Sequence, residues 1–256
     1  MGVLRFQGRD AAAFLHGQLS NDVLALADGA QQLAGYHTNQ GRADAPSLAR
    51  LGREELLAQL PLELADAVAQ RLRRYVLRAK LTIEVLDAAA AAVAAASIPG
   101  WSPARARGDD IAAGLPQVYA ATSEKFVAQM LNLDCVGAVS FSKGCYTGQE
   151  VIARAHYRGR VKRRMQRFAT RAPLAAPLRP GDVLRLADAR RPRSSMTSRS
   201  PTDARSSGHR PAARRRRGIA GHAAGRRCCP GHDRRCSAPA PVIDCEALPL
   251  PYALPD

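Results

Sequence analysis

Residues Lys143 to Glu150 read KGCYTGQE, and they bring a thiol, an amine, a phenol, an amide, a carboxylate and two glycines into eight positions. Thiolate is the reactive form of cysteine, and nearby positive charge lowers the pKa of the thiol. Lys143, Arg154 and Arg158 supply that charge if the fold brings them to Cys145. Gly144 and Gly148 permit left-handed backbone or a close approach to a ligand. Gln149 and Glu150 can orient the loop or relay protons; equally, they can serve a helix start, where acids are favoured. Taken alone, Cys145 also fits a buried small hydrophobe.

The elements that must position these groups have readable signals. Asp10 can cap a helix through AAAFLHGQL, with Phe14, Leu15 and Leu19 on one side. Ser20-Asn21-Asp22 reads as a turn or second cap. Residues 32–36 form a strand, 39–41 a hairpin turn, and 48–51 the partner strand. Pro61 starts a helix carrying Leu64, Val68 and Leu72 at core spacing. Leu81, Ile83 and Val85 alternate with polar residues, as in a half-buried strand. Residues 126–133 read as helix, and another helix opens between Tyr146 and Arg154. Residues 161–170 and 183–186 read as strands, with a turn at Pro180-Gly181. The pattern is α+β, without a βαβ repeat.

The chain has 256 residues, enough for one large domain or two small ones. Its 46% hydrophobic content suffices for a core, while 5% aromatic content leaves Leu, Ala and Val to pack it. No run of about 18 apolar residues occurs, so no membrane span is expected. The start lacks a signal-peptide pattern, and the expected setting is cytoplasmic. Net charge is +16, but residues 190–245 alone hold fourteen arginines. Their large apolar residues are only Met196, Ile219, Val242 and Ile243. Such a segment cannot bury enough apolar surface to order itself. The change near Ala187 has two readings: a frameshifted stretch rich in GC-codon residues, or a basic arm for RNA phosphates. Cys228, Cys229, Cys236 and Cys245 fall in or beside it, and CCPGHDRRC has no standard zinc spacing. Metal ligands are therefore not expected.

The octapeptide resembles the signature of the YgfZ family, folate-binding proteins related to the T-protein of glycine cleavage. GRDAAAFLHGQLSNDVLAL, GYHTNQGRADA, RLRRYVLRAKLTIEVL, GLPQV and the run from Gln129 to Arg163 resemble further family segments in order. LPLPYALPD resembles its C-terminal ending. This resemblance implies a T-protein-like aminomethyltransferase folate-binding fold with a C-terminal β-barrel. The stretch between Leu86 and Trp101 looks compressed, and the barrel is expected to be incomplete. The implied organisation is a folate-binding domain over 1–165, the barrel's start over 166–186, the disordered or frameshifted segment over 187–247, and the family-like end over 248–256.

The resemblance also implies roles. The ligand would be tetrahydrofolate or a derivative. Asp134, in the run matching a T-protein "L-x-L-E" segment, would accept hydrogen bonds from the pterin; a capping role is the alternative. Asn21 and Asp22 would line the cavity, and Arg78, with Arg74, Lys80 or Arg154, would pair with the folate's anionic tail. Cys145 and Lys143 are the candidate catalytic pair, supported by Gly144, Tyr146, Gly148, Gln149, Glu150 and Arg154. The T-protein's acidic positions fall on Ala45 and Pro46, with Asp44 out of register and read as a solvated hairpin residue. Aminomethyl transfer is therefore not expected. Cys145 has two open roles: thiol chemistry on a folate-borne one-carbon unit, or transient contact with iron or an iron–sulfur cluster. The first functional expectation is an accessory factor for iron–sulfur protein assembly or repair, with client or assembly proteins as partners. The second is a folate-dependent tRNA-modifying or tRNA-binding protein. No membrane partner is expected.

Overall fold

The computed structural model describes residues 1–44, 47–52, 54–98, 100, 107–159, 161–171, 177–183, 185–186, 219–220 and 242–255. In chain order the elements are β1 (Gly2–Gln7), α1 (Ala11–Gln18), β2 (Gln31–Leu33), β3 (Tyr36–His37), β4 (Ala43–Asp44), β5 (Ser47–Gly52), β6 (Glu55–Leu60), α2 (Leu62–Arg73), β7 (Thr82–Leu86), α3 (Ala88–Ala96) and α4 (Arg107–Ala112). A short 3-10 helix (Ala128–Leu131), α5 (Gln149–Tyr157), β8 (Arg167–Thr170), β9 (Arg185–Leu186), β10 (Ile219–Ala220), β11 (Val242–Ile243) and β12 (Cys245–Leu248) follow.

The centre is a five-stranded antiparallel sheet in the order β2-β5-β6-β1-β7. As an interior strand, β1 buries both faces. Leu4 and Phe6 point to the side covered by α1 and α2, and Val3 to the side covered by α3. On α2 the expected Leu64, Val68 and Leu72 are buried on that face, as their fourfold spacing requires. Gly2 admits α2 closely, since an added Cβ would lie 2.9 Å from Ala65 Cβ. Asp87 caps α3, its carboxylate accepting from Ala90 N at 2.8 Å. This is an α+β arrangement. The C-terminal strands form two small open sheets, β10-β8-β12 and a parallel pair β11-β9. No helix of the described residues is long and apolar enough to cross a membrane.

Several expectations need correction. Asp10 does not cap α1; its carboxylate accepts from Lys80 N at 2.7 Å and ties the helix start to the approach of β7. The strand expected over 32–36 is two strands. β2 pairs with β5, whereas β3 turns through residues 39–41 into β4. Residues 126–133 form only a short 3-10 helix, because Asn132 takes the left-handed conformation (φ 58°) and ends it. The strand expected over 161–170 is confined to β8, where β10 and β12 supply a ladder. β12 pairs antiparallel with β8 from Cys245 to Leu248. The Cys228–Cys236 region and most of 187–241 lie outside the described residues.

Candidate functional site

The thiol loop is fastened on both sides. Helices end with carbonyls that lack partners. Lys143 meets those of α1, with Nζ donating to Leu19 O at 2.7 Å and also to His16 O. The ammonium lies 5.0 Å from the Tyr146 ring centroid, and Tyr146 itself is buried. On the far side, Gln149 Oε1 accepts from Tyr146 N at 3.2 Å. Gly148 precedes α5 with φ 80°, and an added Cβ there would lie 2.5 Å from Thr38 O in the β3–β4 turn. Between these two anchors Cys145 is exposed. Gly144 has open space where a Cβ would be, so only Gly148 of the pair is sterically required.

Burial sets the electrostatics. It lowers the Lys143 pKa to about 8, with Asp22 pulling it back up. Burial raises Tyr146 to about 12. His16 is lowered by burial and then by Lys143. An amine near 8 at the base of a thiol loop can exchange protons close to neutral pH.

The other candidates sit in different settings. Asn21 Nδ2 donates to Leu33 O at 2.7 Å and Gly137 O at 2.8 Å. Asp22 Oδ1 accepts from the backbone N of Leu24 and Ala25, both at 3.1 Å, and lies 3.3 Å from His16 Nδ1. Both residues thus shape the turn after α1. Asp134 is clamped by Arg164, each oxygen accepting one guanidinium N–H at 2.9 Å. Arg78 is exposed in the turn after α2 and has no ion pair among the described residues. Glu150 and Arg154 are exposed on α5. Lys143, Tyr146, Gly148 and Gln149 thus gather at the loop, while Asp134 belongs to a second cluster.

That second cluster is polar and buried. Asn132 Nδ2 donates to Met165 O at 3.0 Å and to Tyr252 Oη at 3.2 Å. Gln129 Nε2 donates to Ile152 O at 2.7 Å. Asn132 Oδ1 and Gln129 Oε1 are buried without hydrogen-bond partners among the described residues. A carboxylate offers about four acceptor sites, so Asp134 keeps capacity beyond Arg164. The small void beside Leu4, Phe6, Leu15, Tyr36 and Val68 has an apolar lining. Among the described residues no group of three or more His, Cys, Asp and Glu could hold a metal ion.

A third cluster was not legible in the sequence. Asp44 is buried, not solvated as expected, and burial raises its pKa. Its Oδ1 accepts from Ser123 Oγ at 2.8 Å, and Oδ2 lies 3.9 Å from Arg71. Arg71 also pairs with Glu124 at 2.5 Å and lies over the Tyr36 ring. Next to it His37 is buried, and neither ring nitrogen has a partner among the described residues. Only the alternation Tyr36/His37 against Ala43/Asp44 across the turn could have signalled that these face inward.

No family model matches the chain. Among solved structures, it resembles glycine cleavage system aminomethyltransferase T from Bartonella henselae, with a TM-score of 0.50 and 15% identity. That match covers 67% of this chain and 64% of the other, so the chain spans less than two thirds of that protein's length. The fold is therefore of the aminomethyltransferase T class in part. An uncharacterized protein of Haemophilus influenzae is 31% identical over 192 residues, covering 64% of this chain and 69% of the relative. The chain belongs to the family of that Haemophilus protein.

Proposed function

We propose that the chain is a folate-binding accessory protein of the YgfZ type, acting in iron–sulfur protein assembly or repair through Cys145. The observation that carries this reading is the thiol loop. Lys143 and Gly148 fix its two ends on different parts of the N-terminal domain, while Cys145 stays open to a partner. Asp134, Gln129 and Asn132 are the residues that would hold the pterin edge. Bound folate would supply a one-carbon carrier. In this reading Lys143 positions the loop and holds a proton near neutrality, and Cys145 is the nucleophile or soft ligand. One exposed thiol cannot hold a cluster alone, so the partner provides the remaining ligands.

The test is calorimetric titration of tetrahydrofolate into the protein and into Cys145→Ala, paired with iron–sulfur enzyme activity in cells carrying each form. Saturable binding in both, with enzyme activity lost only in the variant, is the expected result. Absence of binding to the unaltered protein overturns the folate assignment. Full enzyme activity with Cys145→Ala overturns the role of the thiol.

A further inference from the structure

We infer that residues 249–255 form a strap that closes the Gln129–Asn132 acceptor pair off from solvent, latched at Gly114 by Tyr252, and that a ligand reaches the pair when this latch releases. That the ligand is a folate rests on the reading above; the strap itself does not. Asn132 is 0% exposed and Gln129 1%. Their side-chain nitrogens are committed, Gln129 Nε2 to Ile152 O and Asn132 Nδ2 to Met165 O and Tyr252 Oη. Their oxygens, each with two acceptor sites, have no partner among the described residues. Acceptors buried in this way cost free energy that an N–H donor would recover. No donor from outside reaches them until a neighbouring group moves.

Most of the groups bonded there are fixed. Ile152 and Met165 are themselves buried. Arg164 is held by both oxygens of Asp134 and by Gln129 O. Tyr252 instead comes from a lightly fastened stretch. β12 ends at Leu248, and residues 249–255 belong to no helix or strand. Among the described residues no backbone-to-backbone hydrogen bond holds them. Leu250, Tyr252 and Leu254 are half-buried and the residues between them exposed, the alternation of an extended segment laid on a surface. Pro249, Pro251 and Pro255 lack the N–H that would continue the β12 ladder, and they keep the stretch extended when it is released. Arg167 fastens it by donating to Pro249 O at 3.1 Å. Tyr252 is the latch, its Oη donating to Gly114 O at 2.7 Å and accepting from Asn132 Nδ2 at 3.2 Å. Gly114 is the seat, since an added Cβ there would lie 2.7 Å from the Tyr252 ring and 3.1 Å from Pro251 Cδ. A few side-chain bonds without a ladder place the strap among segments that open without global unfolding.

The test is cleavage of the full chain by chymotrypsin after Tyr252, which releases residues 253–256 and needs the ring out of its seat. Tyr252→Phe keeps an aromatic ring for the protease and removes both latch bonds. Gly114→Ala keeps Tyr252 and fills the seat. Release is read by mass spectrometry and normalised to free peptides spanning residues 248–256. Both variants should be cut about five-fold faster or more. Exchange of the Asn132 side-chain amide hydrogens, read by NMR, should quicken in step. In every form, cleavage should outrun what global unfolding allows, as reported by the slowest amides of β1. Tetrahydrofolate should associate faster with Tyr252→Phe than with the unaltered protein in stopped-flow mixing. Equal cleavage of the three proteins, or cleavage no faster than global unfolding permits, overturns the strap. Faster cleavage with unmoved Asn132 exchange shows that the strap does not close the acceptors. Saturable tetrahydrofolate binding at an unchanged association rate overturns entry beneath it. Absence of tetrahydrofolate binding in all forms sinks the folate reading instead, while cleavage and exchange still decide the strap.

Discussion

Gly148 shows how one missing side chain joins two parts of the fold. Its backbone is left-handed at φ 80°, and an added methyl would press 2.5 Å from the Thr38 carbonyl oxygen. Gly148→Ala is expected to cost about 2 kcal/mol or more in denaturant melts. Gly144→Ala should stay within about 0.5 kcal/mol, since nothing lies near the added atom. Equal melts for the two variants would contradict this assignment of roles. His37 makes a pH prediction at the same scale. Burial lowers its pKa from 6.5 to about 3. Between those values the unfolded chain binds a proton that the folded chain refuses. Stability should therefore fall as pH drops through that window, by up to about 1.4 kcal/mol per pH unit for one proton. His37→Gln removes this contribution, so its stability profile between pH 6.5 and 3 should be flatter than that of the unaltered protein. Parallel profiles would show that His37 does not stay neutral when folded.

At the scale of elements, the informative joint is the one between the thiol loop and α1. Lys143→Met removes the donor to the His16 and Leu19 carbonyls. A cost of about 1–3 kcal/mol is expected for the acceptors left buried. The same variant should raise the His16 pKa, because the Lys143 charge is one cause of its depression. An NMR titration of His16 reads this directly, and an unmoved pKa would mean the ammonium is not where α1 ends. The sequence made some of these elements plain. The fourfold spacing on α2 and the alternation of β7 reflect local periods that burial enforces. The left-handed backbone at Gly148 was also legible, because glycine tolerates that conformation. Other elements depended on distant partners that no local pattern encodes. Asp10 bonds to Lys80 rather than to its own helix, and β8 stops where its neighbours stop. Asp44 looked like a solvated hairpin residue because its burial comes from distant segments such as that of Ser123.

Across the whole molecule, the last residues are part of the centre. β12 pairs with β8, and Tyr252 reaches Asn132 while donating to Gly114 O at 2.7 Å. Gly114 is tight against it, an added Cβ lying 2.7 Å from the Tyr252 ring. Arg164 meets the same neighbourhood through Asp134, Gln129 O and Cys135 Sγ. Four remote stretches of chain therefore share one polar network, and it is also where the pterin acceptors are proposed. Tyr252→Phe keeps the ring and removes the hydroxyl, at an expected cost of about 1–3 kcal/mol. Asp134→Asn leaves the Arg164 guanidinium without its carboxylate at a largely buried site, at an expected cost of about 3–5 kcal/mol. Both residues act through Asn132 and the segment around it, so the double variant should deviate from the sum by about 0.5–3 kcal/mol. Strict additivity in urea melts would mean that the C-terminal residues dock independently of the Asp134–Arg164 pair. Coupling would mean that the chain after the arginine-rich stretch helps to hold the acceptor cluster in shape, and that a change of reading frame there would alter the centre itself.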